Sequence, residues 1–204
     1  LQQIQWMVER VGLKILDVSL NFVNGGSFRI TAAHKDNPLT PNSKVINKML
    51  DEEEPLKTMA PFERFSNRII QHRDEVRAFF DTMRSSGKKV YGYGASTKGN
   101  IVLNYCGITP QDLIAISDLQ PQKDGLVTPG SRIPIVSHDK LRKAHPDYAL
   151  VLIWHLRREV IEDEINYLEK GGKLVFDLPR PHTVNLENYQ HYLNASFEDL
   201  AFSL

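Results

Sequence analysis

The residues with the clearest chemistry lie in the segment VYGYGASTKGN, residues 90 to 100. Gly92 and Gly94 permit a tight turn after an apolar strand and leave backbone N–H groups uncovered. A helix that begins at Ser96 would direct the positive end of its dipole at this turn, and Lys98 adds a charge beside it. The segment therefore predicts an anion site that suits a pyrophosphate. Its candidate residues are Gly92, Gly94, Ser96, Thr97, Lys98 and Asn100.

Two nucleotide motifs fit this segment only in part. The dinucleotide spacing G-x-G-x-x-G requires a third glycine where Thr97 stands, and the next glycine is Gly99. The P-loop spacing G-x-x-x-x-G-K-[ST] cannot be aligned. Asp118, 24 residues after Gly94, stands where an acid binds the ribose in nicotinamide enzymes. Each of these residues has an equally good structural interpretation as a packing glycine, a helix cap or a turn former.

Two further residues are weaker candidates for contact with a ligand. Lys123 lies in the loop after the second predicted strand of this region, and His155 follows the fourth. Either side chain could reach a ligand at the strand ends, although solvent exposure or a capping role explains both. The other histidines show no ligand spacing with carboxylates or cysteine, so we predict no metal site. Cys106, the single cysteine, lies in an apolar helix and is predicted to be a core residue.

The elements around these residues form an α/β pattern over residues 87–204. Apolar strands alternate with helices, which indicates a parallel sheet covered by helices on both faces. Right-handed crossovers predict a Rossmann-like strand order, 3-2-1-4-5, with the ligand at the carboxyl ends of the strands beside the first strand. The predicted strands are 88–94, 112–119, 133–138, 148–154 and 173–179, and the predicted helices are 96–106, 138–144 and 156–170.

The first part of the chain has a different organisation. Residues 1–35 read as one helix and a β-hairpin, with the turn at Asn24, Gly25 and Gly26, and residues 36–86 form a connector that ends in a long bridging helix, 61–86. The unit formed by residues 1–35 is too short to bury a hydrophobic core alone. We therefore expect it to complete a sheet whose other strands precede residue 1, in a longer protein.

Composition narrows the classes of partner. The chain has 25 acidic and 25 basic residues, and no stretch concentrates Lys and Arg, so neither nucleic acid nor an anionic membrane surface is an expected partner. No apolar run reaches the length of about eighteen residues that a membrane span needs. A single cysteine suits the reducing environment of the cytoplasm.

Several longer segments together resemble one enzyme family. GYGASTKGNIVLNYCGI, ISDLQPQKDGLVTPGSRIPI, PDYALVLIWHLRREVIEDE and GGKLVFDLPRP, in this order, are similar to the C-terminal domain of S-adenosylmethionine-dependent sugar C-methyltransferases. The leading GLKILDVSLNFVNGGSFRITAAHK resembles the closing hairpin of the methyltransferase domain that precedes it in that family.

The resemblance implies a division of labour among domains. In such enzymes a zinc-binding domain and a methyltransferase domain, which holds S-adenosylmethionine, come first, and the Rossmann-like domain helps to bind a nucleotide-linked keto sugar. Removal of a proton next to the ketone gives an enolate, which accepts the methyl group. The catalytic histidine and the methyl-donor site would precede Leu1, so the chain alone is expected to be inactive. The anion site at residues 92–100 is then expected to hold the diphosphate of the acceptor.

Two other classes remain open from the sequence. Gly92, Gly94 and Asp118 also suit an NAD-binding domain of an oxidoreductase, although Thr97 and the lack of an evident catalytic pair weaken this interpretation. The parallel sheet could also belong to a non-catalytic interaction module.

Overall fold

The computed structural model describes residues 1–21, 23, 26–196 and 199–200. They form two compact units, Leu1–Arg68 and Ile69–Leu204. The boundary lies inside a long helix, α3 (Ala60–Ser85). Of the predicted hairpin turn, Asn24 and Gly25 lie outside the described residues.

The first unit is a helix, a hairpin and a second helix. Its elements are α1 (Gln2–Arg10), β1 (Leu13–Asn21), β2 (Ser27–His34) and α2 (Ser43–Glu52). The two strands are antiparallel, and within the described residues they pair only with each other. The buried core of this unit is small and consists of Leu1, Ile15, Val18 and Ile46. The predicted helix and hairpin are confirmed.

Helix α3 ends where the sequence predicts a cap. Gly87 has φ +66°, a value that favours glycine. The Lys88 amide donates to the Met83 carbonyl at 2.9 Å and the Gly87 amide donates to the Arg84 carbonyl at 3.2 Å, which satisfies carbonyl groups of the last turn.

The second unit contains the parallel sheet that the apolar pattern predicts. Its strands are β3 (Val90–Tyr93), β4 (Ile116–Asp118), β5 (Ile135–Ser137), β6 (Tyr148–Val151), β7 (Lys173–Phe176) and β8 (His182–Val184). They lie in the order β5-β4-β3-β6-β7-β8. The five parallel strands therefore follow the expected 3-2-1-4-5 arrangement, and β8 is an additional, antiparallel strand that was not predicted.

Helices cover both faces of this sheet. They are α3, α4 (Thr97–Tyr105), α5 (His138–Ala144), α6 (Arg157–Asp163), α7 (Ile165–Glu169) and α8 (Tyr189–Asn194). Leu150 belongs to a core cluster with Phe80 of α3 and Leu103 of α4, whereas Val151 belongs to a second cluster with Ile161 of α6. Adjacent residues of β6 thus point into two cores, as expected for a doubly covered sheet.

The predicted helix 156–170 is divided into α6 and α7 by Glu164, which is buried and has φ −110° and ψ 18°. Cys106 is buried in the first core cluster, as predicted, and burial raises the pKa of its thiol to about 11.

Candidate functional site

Three glycines let the end of β3 and the start of α4 approach their neighbours. Gly94 has φ +85°, and a Cβ atom there would lie 2.7 Å from the Ile153 side chain. A Cβ atom at Gly92 would lie 2.7 Å from the Ile116 side chain, and one at Gly99 would lie 2.5 Å from Cβ of Leu152. Gly99 therefore permits the close helix–strand packing that the third glycine of a dinucleotide motif provides.

Ser96 fixes the start of α4. Its Oγ atom accepts a hydrogen bond from the Gly99 amide at 2.9 Å and donates one to the Leu152 carbonyl at 2.9 Å. The residue is thus the N-cap of α4 and also ties the helix to the residue that follows β6. Its hydroxyl proton is already used within the protein.

Asp118 and Lys123 brace the glycine turn from the end of β4. Oδ2 of Asp118 accepts hydrogen bonds from the Ala95 amide at 3.0 Å and from Nζ of Lys123 at 2.9 Å. The same ammonium group donates to the Ala95 carbonyl at 2.9 Å, and Oδ1 of Asp118 accepts from the Gln120 amide at 2.9 Å. The acid is thus neutralised by Lys123, and it occupies a backbone amide that a phosphate could otherwise use.

A cleft of about 240 Å³ opens at the carboxyl ends of the strands. It lies beside β3, where the strand order reverses: β4 and β5 lie on one side of β3, and β6, β7 and β8 lie on the other. Ligands of this fold are expected at such a point. The predicted residues Gly94, Ser96, Asp118 and Lys123 line it, together with Tyr93, Ala95, Ser117, Leu119, Gln120, His138 and Ile153. The remaining candidates, Gly92, Thr97, Lys98, Asn100 and His155, are not among its lining residues.

Some of these remaining candidates meet beside Trp154. Nζ of Lys98 lies 5.5 Å from the centroid of the Trp154 ring, a cation–π contact. The His155 ring stands edge-on to the same indole, with centroids 5.6 Å apart. Burial, followed by the charge of Lys98, lowers the pKa of His155, which favours its neutral form. A second group of side chains at this end of the sheet therefore consists of Lys98, Trp154 and His155.

The cleft also contains His138, a histidine that is not among the residues predicted from the sequence. His138 is buried, and its Nε2 atom lies 2.9 Å from Oε1 of Glu164. Arg142 donates to the same oxygen at 2.8 Å. Burial by itself would raise the pKa of Glu164, but the hydrogen bonds from His138 and Arg142 hold it below its ordinary value. The only sequence signal for His138 is its place directly after β5, at the edge where the strands end.

A second buried acid, Asp177, follows β7. Its side chain is almost fully buried, and neither carboxylate oxygen has a hydrogen-bond partner within the described residues. Nε2 of His72 contacts the Asp177 carbonyl oxygen at 2.8 Å and lies 4.0 Å from Oδ2. Burial raises the pKa of Asp177 to about 6.

The described part of the chain contains neither a metal-binding cluster nor a membrane-crossing helix. No group of three or more His, Cys, Asp or Glu side chains in it is arranged to hold a metal ion. None of its helices combines the length and apolar character that crossing a membrane requires.

The sequence of this chain matches the model of a known protein family. The sequence model described as the C-methyltransferase C-terminal domain matches residues 22–179, so the chain belongs to this family. A related protein is the C-methyltransferase NovU of Streptomyces niveus, which is 34% identical over 186 residues. That match covers 89% of this chain but 44% of NovU, so the chain spans less than half the length of this curated relative. The family resemblance of the sequence motifs is confirmed.

Proposed function

We propose that this chain is the C-terminal portion of an S-adenosylmethionine-dependent C-methyltransferase that acts on a nucleotide-linked keto sugar in the cytoplasm. Its Rossmann-like unit binds the acceptor and positions the diphosphate. The observation that carries this proposal is the family membership together with a helix N-terminus at the strand ends, next to Lys98. The name of the relative NovU supports C-methylation. The sugar acceptor and its nucleotide are part of what we propose.

The phosphates are placed on the outer side of the first turn of α4. The amides of Ala95 and Gly99 are already bound by Asp118 and Ser96. Thr97, by contrast, is exposed, and Lys98 adds a positive charge to the same turn. A helix N-terminus and a lysine together attract a diphosphate through hydrogen bonds and charge. Asn100 and His155 are the accompanying polar groups.

The chain contributes positioning rather than the chemical step. S-adenosylmethionine supplies the methyl group when it is bound. The cleft here fits that group poorly, because Asp118 is braced against Ala95 and Lys123 instead of being free for a ribose. We therefore assign the methyl donor and the catalytic base to the other half of the enzyme, and we expect this chain alone to be inactive. Fixing the acceptor within reach of the donor can supply a large part of the rate acceleration.

An NAD-binding oxidoreductase domain is the second candidate. The position of Asp118 at the end of β4 and the strand order favour it. The bonds that Asp118 makes within the protein weigh against it, because an NAD-binding acid must accept hydroxyl groups of the ribose.

Calorimetric titration of the full chain separates these functions. We expect dTDP or GDP sugars to bind, and Lys98→Ala to weaken binding about tenfold or more through loss of a charged hydrogen bond. Lys48→Ala, at an exposed lysine of α2, is the matched control and should bind like the wild type. Unchanged binding in Lys98→Ala would show that the diphosphate lies elsewhere. Binding of NAD without nucleotide sugars would support the oxidoreductase, and no binding of any ligand would support an interaction module.

A further inference from the structure

A second cavity, which we call the α5–α7 groove, lies between these two helices. Its volume is about 400 Å³, within the range of roughly 300–1,000 Å³ that is common for small-molecule sites. Helix α5 and the residue after it contribute Arg142, Lys143 and His145, and helix α7 and the residue after it contribute Tyr167 and Lys170. Among the described residues, the groove shares no lining residue with the cleft at the strand ends. It is therefore a separate cavity from the one that the acceptor is proposed to approach.

The basic residues of the groove lie together at one of its ends. Helix α5 leads into β6 and α7 leads into β7, and these two strands are parallel neighbours. Leu141 of α5 and Leu168 of α7 pack in the same core cluster, so the two helices cover one face of the sheet and run in the same direction. Their C-terminal ends therefore bring Lys143, His145 and Lys170 to the same end of the groove.

The acidic residues begin at the opposite end. Asp139 lies in the first turn of α5, and Asp163 is the last residue of α6, before α7. Asp139 precedes Lys143 by four residues, which is a separation of about 6 Å along the helix. The groove thus has a basic end and an acidic end. A compact anion fits the basic end, whereas a polymer of phosphates would also meet the two carboxylates.

The cations of the basic end have hydrogen-bond donors that the protein does not use. Arg142 donates to Oε1 of Glu164 at 2.8 Å through Nη2, and in the described ranges its Nε and Nη1 groups donate no hydrogen bond within the protein. Neither Lys143 nor Lys170 forms an ion pair with any described residue. A cation at a helix C-terminus offsets the dipole of its own helix. Here, however, two helices direct cations into one cavity, and like charges that share a cavity are stabilised by an anion between them.

The frame around the basic end is held by contacts between distant segments. The hydroxyl group of Tyr167 lies 3.0 Å from the Pro146 carbonyl oxygen and 3.3 Å from the Lys173 carbonyl oxygen, which ties α7 to the starts of β6 and β7. Glu164 is 3% exposed and also bonds to His138 at 2.9 Å, so Arg142 is anchored on a buried carboxylate. A site that is fixed in advance loses less conformational entropy when a ligand binds.

We propose that the basic end of the α5–α7 groove binds a compact oxyanion, which is either a carboxylate or a phosphate. Arg142 donates the N–H groups that Glu164 leaves free, and Lys143 and Lys170 supply further charge. Glu164 and Tyr167 are positioning residues, because they hold Arg142 and α7 in place without binding the anion. The assignment does not depend on the proposed function, since it uses none of the residues assigned to the acceptor.

NMR titration of the full chain with inorganic phosphate and with succinate tests this assignment. In the wild type, the backbone amide signals of Lys143 and Lys170 and the side-chain Nε–H signal of Arg142 should shift along one saturation curve. The double variant Lys143→Gln/Lys170→Gln breaks no ion pair of the described residues and should bind the anion about tenfold more weakly. Lys140→Gln, on the same helix but paired with Asp124 outside the groove, should bind it like the wild type.

The outcomes distinguish this site from the proposed diphosphate site. Binding in the groove should persist in Lys98→Ala, because Lys98 is not among the lining residues. Tighter binding of succinate would identify a carboxylate as the ligand, and tighter binding of phosphate would identify a phosphate. If neither anion shifts the groove signals, or if the double variant binds as tightly as the wild type, the groove is not an anion site. Shifts confined to the surroundings of Lys98 would also overturn it, while leaving the diphosphate site in place.

Discussion

Replacing Asp177 by asparagine should stabilise the protein at pH 8. Asp177 is 1% exposed, its carboxylate oxygens lack hydrogen-bond partners in the described part of the chain, and burial, opposed in part by the nearby His72, raises its pKa to about 6 from 3.8. The folded state therefore binds more protons than the unfolded state between these two values. Ionisation above pH 6 costs stability, and about 2 pKa units correspond to roughly 3 kcal/mol. Asparagine keeps the shape of the side chain without the charge.

The expected gain for Asp177→Asn depends on pH in one direction. Above pH 6 the free energy of unfolding should increase by up to roughly 3 kcal/mol relative to the wild type. The gain should shrink as the pH falls from 6 towards 4, because the wild-type carboxyl becomes protonated in the folded state. Asp147→Asn is the control with the opposite sign, since hydrogen bonds from Lys89 and Lys88 lower the pKa of Asp147.

Urea unfolding followed by tryptophan fluorescence measures this effect. The chain has 2 tryptophans, and Trp6→Phe leaves Trp154 as the reporter of the unit Ile69–Leu204. A variant that is no more stable than the wild type at pH 8 would show that the carboxylate is compensated. A gain of the same size at pH 4 and pH 8 would show that shape, not charge, is responsible.

Two further predictions concern packing and pH. Gly99→Ala should lower the free energy of unfolding by about 1–3 kcal/mol, because the new methyl group would overlap Leu152. The urea midpoint measures this loss. The control is Ser85→Ala at the end of α3, since the positive φ of Gly107 makes Gly107→Ala unsuitable. The wild type should lose stability through His182 as the pH falls below about 6.5, because burial lowers the pKa of this histidine, which stacks on Phe176 and Tyr192. His182→Phe should remove that component of the pH dependence, and an unchanged pH profile would contradict the assignment.

The fold was predictable where local patterns determine it. Continuous apolar strands that alternate with helices predict the five parallel strands and their order. β8 was missed because His182–Val184 is a short segment whose pairing with β7 is a tertiary contact. The break between α6 and α7 was missed for a similar reason. Glu164 continues a helical pattern in the sequence, but its bond to His138 joins residues 26 positions apart.

The site was predictable to the extent that topology brings strand ends together. Gly94, Ser96, Asp118 and Lys123 were chosen by sequence position and line one cleft. Lys98 and His155 instead meet at Trp154. Their roles in ligand binding stay predictions. His138 was not selected because the features that distinguish it, burial and one unpartnered nitrogen, come from contacts between distant segments.

Asp118 shows why the position of an acid in a Rossmann-like fold does not by itself determine the ligand. An acid that binds a ribose needs oxygen atoms free for the hydroxyl groups, and the glycine turn needs amides free for the phosphates. In this chain the acid and the turn bind each other, and Lys123 bonds to both. We therefore expect a phosphate to approach α4 from the side of its first turn where Thr97 is exposed and Lys98 lies. Lys123→Met should therefore release Asp118 and loosen the turn without removing the charge proposed to bind phosphate. A larger loss of pyrophosphate affinity in Lys123→Met than in Lys98→Ala, measured by calorimetry, would contradict this division.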